Sequence, residues 1–192
     1  MFPCLSEITD RIRRLTAERE TVLVAIEGSC TAGKTTLSRL LEAEFDCNVF
    51  HMDDFFLQNH QRTEQRLAEA GGNVDYERFF QEVLLPLRRG EAVSFRPFDC
   101  QTRQLKAAVD MPRKRLNIIE GTYSCHPHFG KVYDLTVFLT VSPETQRKRI
   151  LQRPEFLHRS FFDLWIPMEH TYFDTFSVAQ GCDILCGSQE EP

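Results

Sequence analysis

Gly28-Ser29-Cys30-Thr31-Ala32-Gly33-Lys34-Thr35 has the make-up of a loop built to hold an anion. Its two glycines, with four residues between them, are followed by Lys and Thr, the pattern of a phosphate-cradling loop. Glycine lets the main chain approach a phosphate closely, and successive N–H groups with the positive end of a following helix then face the charge. In such a loop the lysine reaches the β- and γ-phosphates of a nucleoside triphosphate, and the Thr35 hydroxyl is placed to ligate Mg²⁺. The expected nucleotide-binding stretch is therefore Gly28, Ser29, Cys30, Thr31, Ala32, Gly33, Lys34, Thr35 and Thr36, with ATP and Mg²⁺ as cofactors.

Two further groups have types and positions suited to chemistry. Asp53-Asp54-Phe55-Phe56 follows the apolar run Val49-Phe50-His51-Met52, and Glu120-Gly121 follows Leu116-Asn117-Ile118-Ile119. In open α/β sheets, ligands bind beyond the carboxyl ends of the strands. A carboxylate there can take a proton from a substrate hydroxyl or hold Mg²⁺ through water. Asp53 is the expected base, with Asp54 as a helix cap, and Glu120 joins Thr35 on the metal side.

These residues need a frame to bring them together. Val22-Leu23-Val24-Ala25-Ile26 reads as a buried strand before the loop, and Leu37, Leu40, Leu41 and Phe45 recur at helical spacing after it. Further strands are expected near residues 49, 117, 137 and 184. Leu5, Ile8, Ile12 and Leu15 mark an amphipathic opening helix. Asp75 opens another helix that carries Tyr76, Phe79, Phe80, Val83, Leu84 and Leu87, loosened by Pro86 and ended by Gly90. Ala92–Arg96 reads as a strand of a small hairpin that Pro97-Phe98-Asp99 ends in a turn. Ser142-Pro143-Glu144 starts a helix with a cap, a proline at the first position and an acid in the first turn. That helix bears Arg147, Lys148, Arg149 and Arg153, a basic face that could close over phosphates. Residues 158 to 178 read as an aromatic-rich helix broken at Pro167. Alternating strands and helices predict an α/β fold: a five-stranded parallel sheet with helices on both faces.

Composition narrows the class. At 192 residues, 42% hydrophobic, the chain is expected to form a single domain over 1–192, with a substrate-side insertion over 54–114 and a lid region over 142–160. A formal charge of -5 argues against a nucleic-acid partner. The longest apolar runs fall short of a membrane span, and the N-terminus lacks a basic-then-apolar leader pattern. Seven scattered cysteines without a C-x-x-C pair suit a reduced cytoplasm better than a disulfide framework. Cys125-His126-Pro127-His128 reads as a polar loop, there being no second cluster of zinc-like spacing.

With the phosphate loop, Met52-Asp53-Asp54-Phe55-Phe56 and Ile119-Glu120-Gly121-Thr122-Tyr123 in place, the chain resembles the uridine kinase family, the wider group that includes nicotinamide riboside kinases and phosphoribulokinases. The resemblance covers most of residues 20 to 153. It implies a P-loop kinase fold and transfer of the γ-phosphoryl of ATP to a primary hydroxyl, above all the 5′-hydroxyl of a ribonucleoside. It implies that Asp53 is the base, that Thr35 and Glu120 serve Mg²⁺, and that Asp75, with Tyr76 beside it, holds the ribose hydroxyls. It further places Phe98 beside the base and makes Arg149 a lid arginine near the phosphates. Arg103 stands where uridine-cytidine kinases carry a pyrimidine-reading histidine, which keeps nicotinamide riboside, pantothenate or a sugar phosphate open as acceptor. The family's lid signature of Arg-Asp followed by Arg-Gly-Arg is absent. A nucleotide-binding regulator is the reading from another class, and the retention of both Asp53 and Glu120 argues against it. A nucleoside-like small molecule is thus the expected partner. Family members often form homo-oligomers, and no stretch identifies an interface.

Overall fold

The computed structural model describes residues 2–187. Five parallel strands form the central sheet: β1 (Val22–Gly28), β2 (Cys47–His51), β7 (Leu116–Glu120), β8 (Leu135–Thr140) and β9 (Ile184–Gly187), in the order β2-β7-β1-β8-β9. All five lie where the apolar runs predict them. Every residue of β1 and β7 is buried, as expected for strands covered on both faces.

Side chains of a strand alternate between faces, and here that alternation divides the core in two. Val22, Val24, Ile26, Ile118, Val137 and Leu139 pack against α1 (Leu5–Glu18) and α2 (Lys34–Glu44) through Ile8, Ile12, Leu37 and Leu41. Leu23, Ile119 and Phe138 face the other way, onto Phe79, Val83, Leu84 and Tyr172. Those last residues come from two bent helices. One runs through α4 (Tyr76–Phe79) and α5 (Leu85–Arg88), the other through α7 (Glu155–Ser160) and α8 (Ile166–Phe176).

Both bends have one cause. Pro86 and Pro167 lack the N–H that would continue the ladder, and their rings crowd the carbonyl four residues back. The chain widens by one residue ahead of each. Phe80–Leu84 and Phe161–Trp165 are π-helical, and the N–H of Leu85 and Ile166 reaches back to Phe80 O and Phe161 O. The loosening expected at Pro86 is thus a π-turn, and the break expected at Pro167 is a π-turn inside a continuing helix.

Between β2 and β7 lie α3 (Glu64–Ala68), the α4–α5 helix and two small antiparallel pairs. Strand β3 (Val93–Phe95) pairs with β6 (Val109–Met111), and β4 (Phe98–Asp99) with β5 (Gln104–Leu105). Phe98 and Asp99, expected in a turn, instead form the nested inner hairpin. After β8 come α6 (Pro143–Leu151), capped by the Ser142 hydroxyl on Thr145 N–H, and later α9 (Val178–Gly181).

The cysteine reading is corrected. Cys4, just ahead of α1, is bonded to Cys186 in β9 across a sequence separation of 182, and five cysteines are free. Both partners sit in the same core face, so α1 and the edge strand bring them together. No local spacing could signal that pair. No helix among the described residues is long and apolar enough to cross a membrane.

Candidate active site

The phosphate loop runs from the end of β1 into α2. Gly28 has φ 137°, and a Cβ there would meet the Leu139 carbonyl oxygen at 2.2 Å, so β8 leaves room for glycine alone. Gly33 opens α2 at φ 100° and offers no side-chain cap. The first-turn N–H groups of α2 therefore have no side chain to satisfy them, which fits a phosphate. Thr31 holds φ 61°, and its buried hydroxyl has no partner.

Contacts from distant elements hold this loop. Lys34 Nζ donates to Gly28 O (2.7 Å), Ser29 O (2.9 Å) and Thr122 Oγ1 (3.2 Å). Glu169 of α8 accepts from Cys30 N–H (2.9 Å) and lies 3.1 Å from the Thr122 hydroxyl. Gln146 of α6 donates to Cys30 O (3.2 Å), and Arg149 of α6 to Thr31 O (2.9 Å). Behind the loop, Glu27 takes the N–H of Gly28 (2.8 Å), Tyr123 (3.2 Å) and Cys125 (3.0 Å) and the Tyr172 hydroxyl (3.1 Å). Burial pushes Glu27 up to about 7, against those donors and Lys34, which favour its charge. Burial likewise raises Glu169, opposed first by Lys34.

The strand ends bring in the acids. His51 and Glu120 are register partners on β2 and β7, and His51 Nδ1 lies 2.6 Å from Glu120 Oε1. The Thr35 hydroxyl donates to that same oxygen at 3.0 Å. Thr35 and Glu120 thus present oxygens to one point, a pair able to share a metal ion. Among the described residues no three His, Cys, Asp or Glu side chains gather into a site that could hold a metal alone, so nucleotide oxygens would have to complete the shell.

Asp53 sits in the single turn Met52–Phe55 that follows β2. Its side chain is exposed and opens onto the central cavity. The protein around that cavity raises its pKa by desolvation, opposed first by Lys34, while Glu120 adds to the rise. Carboxylate, lysine and second carboxylate therefore act on one another. The cavity, about 1140 Å³, is lined by Cys30 through Thr36, Asp53, Glu120, Thr122, Tyr123, Arg149, Arg153 and Glu169, among others.

The other expected residues lie elsewhere. Asp75 is buried, caps α4 through Arg78 N–H (3.1 Å) and accepts from Gln61 Nε2 (2.9 Å). Tyr76 stacks on His126 at 4.1 Å, with the Arg66 guanidinium over its ring at 3.8 Å. Phe98 is buried in β4. Arg103 is exposed on the tip of the inner hairpin and donates to Asn59 Oδ1 at 2.6 Å. None of these four lines the cavity. Glu169 and Thr122, which sequence reasoning did not single out, line it, and Glu27 is buried behind the loop. Glu27 carried one signal, an acid inside an otherwise apolar strand.

No family profile matches the chain, and no curated protein matches it in sequence. Solved structures do. A Silicibacter sp. TM1040 protein provisionally assigned as a fructose transport system kinase superposes with TM-score 0.71 at 21% identity, over 94% of this chain and 98% of that one. A Bacillus stearothermophilus protein provisionally assigned as a uridine kinase gives 0.65 at 19% identity, over 93% and 98%. D-glycerate 3-kinase from Cryptococcus neoformans gives 0.65 at 12% identity, over 90% and 89%. The chain has the fold of the P-loop small-molecule kinases.

Proposed function

We propose that this protein is an ATP- and Mg²⁺-dependent small-molecule kinase, and that its acceptor is a primary hydroxyl, foremost the 5′-hydroxyl of a ribonucleoside such as uridine or cytidine. The observation that carries the reading is the convergence of Lys34, the Thr35–Glu120 pair and Asp53 on one cavity from three separate strand ends. A protein that only bound nucleotide would need the loop but not a carboxylate within electrostatic reach of Lys34 in the same cavity.

Asp53 takes the acceptor's proton as its oxygen bonds to the γ-phosphorus. The bond from that phosphorus to the β–γ bridging oxygen breaks, and ADP leaves. Desolvation moves Asp53 toward neutrality, which makes it a better base than a fully solvated aspartate. Lys34 and the first-turn amides of α2 meet the charge that develops on the phosphates. Bound through Thr35 and Glu120, Mg²⁺ would neutralise β- and γ-oxygens. Arg149, tied to Thr31 O, stands at the same end of the cavity.

The test is ADP release from Mg·ATP against uridine, cytidine, other ribonucleosides, nicotinamide riboside, pantothenate and sugar phosphates. Turnover with uridine or cytidine is expected. Bound ATP with no ADP release across the panel would refute the kinase reading.

A further inference from the structure

Glu120 ends β7 beside the phosphate loop, and both hydrogen bonds it accepts fall on one oxygen. Thr35 Oγ1 donates to Oε1 at 3.0 Å, and His51 Nδ1 lies 2.6 Å from the same atom. An ionised carboxylate only accepts, so Nδ1 carries the hydrogen of the second bond whatever the state of Nε2. The two donors fill the lone pairs of Oε1. Oε2 accepts nothing among the described residues and is not buried. Since Glu120 lines the central cavity, its second oxygen is free to meet a ligand there.

His51 is placed by strand register. It is the last residue of β2 and the partner of Glu120 across the parallel β2–β7 ladder. Its ring is partly exposed, whereas Glu120 is buried. The ring does not line the central cavity. It opens onto a smaller hollow of about 330 Å³ beside α2, shared with Ser38, Arg39, Asn48 and Lys114. His51 thus touches Glu120 without lining the space that nucleotide and acceptor would share. The terminal torsion of a glutamate is broad, so a carboxylate held at one point still turns. Thr35 supplies one point from α2, and His51 supplies the other from a different strand.

We infer that His51 is a positioning residue for the metal side of the site: its Nδ1–H holds Glu120 Oε1, which leaves Oε2 and the Thr35 oxygen presented to a divalent cation that arrives with the nucleotide. The inference rests on the metal role given to Thr35 and Glu120 in the reading above, and not on the identity of the acceptor. Groups that hold a ligating carboxylate from behind contribute roughly 10- to 100-fold to metal affinity.

Calorimetry on the full chain compares the affinity for a non-hydrolysable ATP analogue with Mn²⁺ present and with EDTA, so that the difference isolates the metal. Wild type is expected to bind the Mn²⁺ complex more tightly than the free analogue. His51→Leu should weaken binding of the Mn²⁺ complex roughly tenfold or more and leave the free analogue little affected. His51→Asn, whose amide N–H can stand in for Nδ1–H, should recover most of that loss. A purely structural histidine would lower Tm in the Leu variant and leave the advantage of the Mn²⁺ complex as in wild type. Nitrogen-15 NMR of the wild-type chain reads the same bond without any variant: in the complex with Mg²⁺ and the analogue, the His51 ring, assigned through its backbone, should carry a proton on Nδ1. An Nδ1 without a proton there, a wild-type chain indifferent to metal, equal or tighter binding of the Mn²⁺ complex by His51→Leu, or no recovery by His51→Asn would overturn the inference. His51-dependent binding of the Mn²⁺ complex with no ADP release from Mg·ATP for any acceptor would sink the kinase reading alone.

Discussion

Replacing Glu27 by Gln tests the electrostatics behind the phosphate loop. Glu27 is fully buried and receives four donors, yet burial outweighs them and lifts its pKa from an ordinary 4.5 to about 7. A group whose native pKa is raised binds more protons folded than unfolded between those values, so the fold loses stability as pH rises through that window. At 1.36 kcal/mol per pKa unit, the loss between about pH 5.5 and pH 8 is about 2 kcal/mol. For a chain of this length that is roughly 4–8 °C in Tm. Gln is isosteric and does not titrate. Thermal unfolding of both proteins should show wild type losing that much relative to Glu27→Gln across the interval, while other titrating groups cancel in the difference. At low pH Glu27→Gln should lie below wild type by a fixed offset, since both Glu27 oxygens take donors whereas an amide nitrogen can only donate; the offset drops out of the change with pH. If the four donors prevailed, the native pKa would fall below 4.5, wild type would gain on the variant as pH rose from acid, and the reasoning would be refuted.

Three further outcomes are expected. Asp53→Asn should cut kcat by roughly 10²- to 10⁴-fold with nucleotide affinity little changed; near-wild-type turnover would remove Asp53 as the base. Glu169→Ala leaves Cys30 N–H without its acceptor and should cost about 1–3 kcal/mol by chemical denaturation and raise KM for ATP, whereas Glu169→Gln, which keeps an acceptor oxygen, should recover most of both; equal behaviour of Ala variant and wild type would show that α8 does not clamp the loop. Alkylation of the unreduced, denatured chain should label the five free cysteines, with Cys4 and Cys186 labelled only after reduction, and Cys4→Ser should cost about 2–4 kcal/mol; seven reactive thiols before reduction would contradict the pairing.

The parts of the site legible in the sequence are those set by local pattern. The phosphate loop, the acids after two apolar runs and the five strands each declare themselves within a dozen residues, because strand burial and loop chemistry are local demands. The parts that were not legible depend on packing between distant segments. Glu169 reaches Cys30 across a sequence separation of 139, from a helix that continues past the π-turn ahead of Pro167. Asp75 has the composition of a ligand, but its place one residue before α4 gives it a cap to make and Arg78 to pair with. Arg103, at φ 57° on a hairpin tip, has its guanidinium carried to Asn59 by the turn. A pattern of types cannot say which of several competent polar residues the fold will turn inward.

The order in which the loop's groups are engaged bears on how it would bind nucleotide. Gly28 N–H is held by Glu27, Cys30 N–H by Glu169 and Ala32 N–H by Ser29 O, while Cys30 O and Thr31 O are held by Gln146 and Arg149. The upstream half of the loop is therefore fixed from outside by β1, α6 and α8, which keeps Thr31 in its strained conformation. What remains uncommitted is the first turn of α2, whose N–H groups have no side-chain cap at Gly33. A triphosphate then meets donors already aimed, with no backbone to order, and its contacts go into binding instead of folding the loop. Because three of the anchors come from segments more than a hundred residues downstream, any movement of α6 or α8 alters the loop directly. The conformation of the loop therefore depends on how α6 and α8 pack against it.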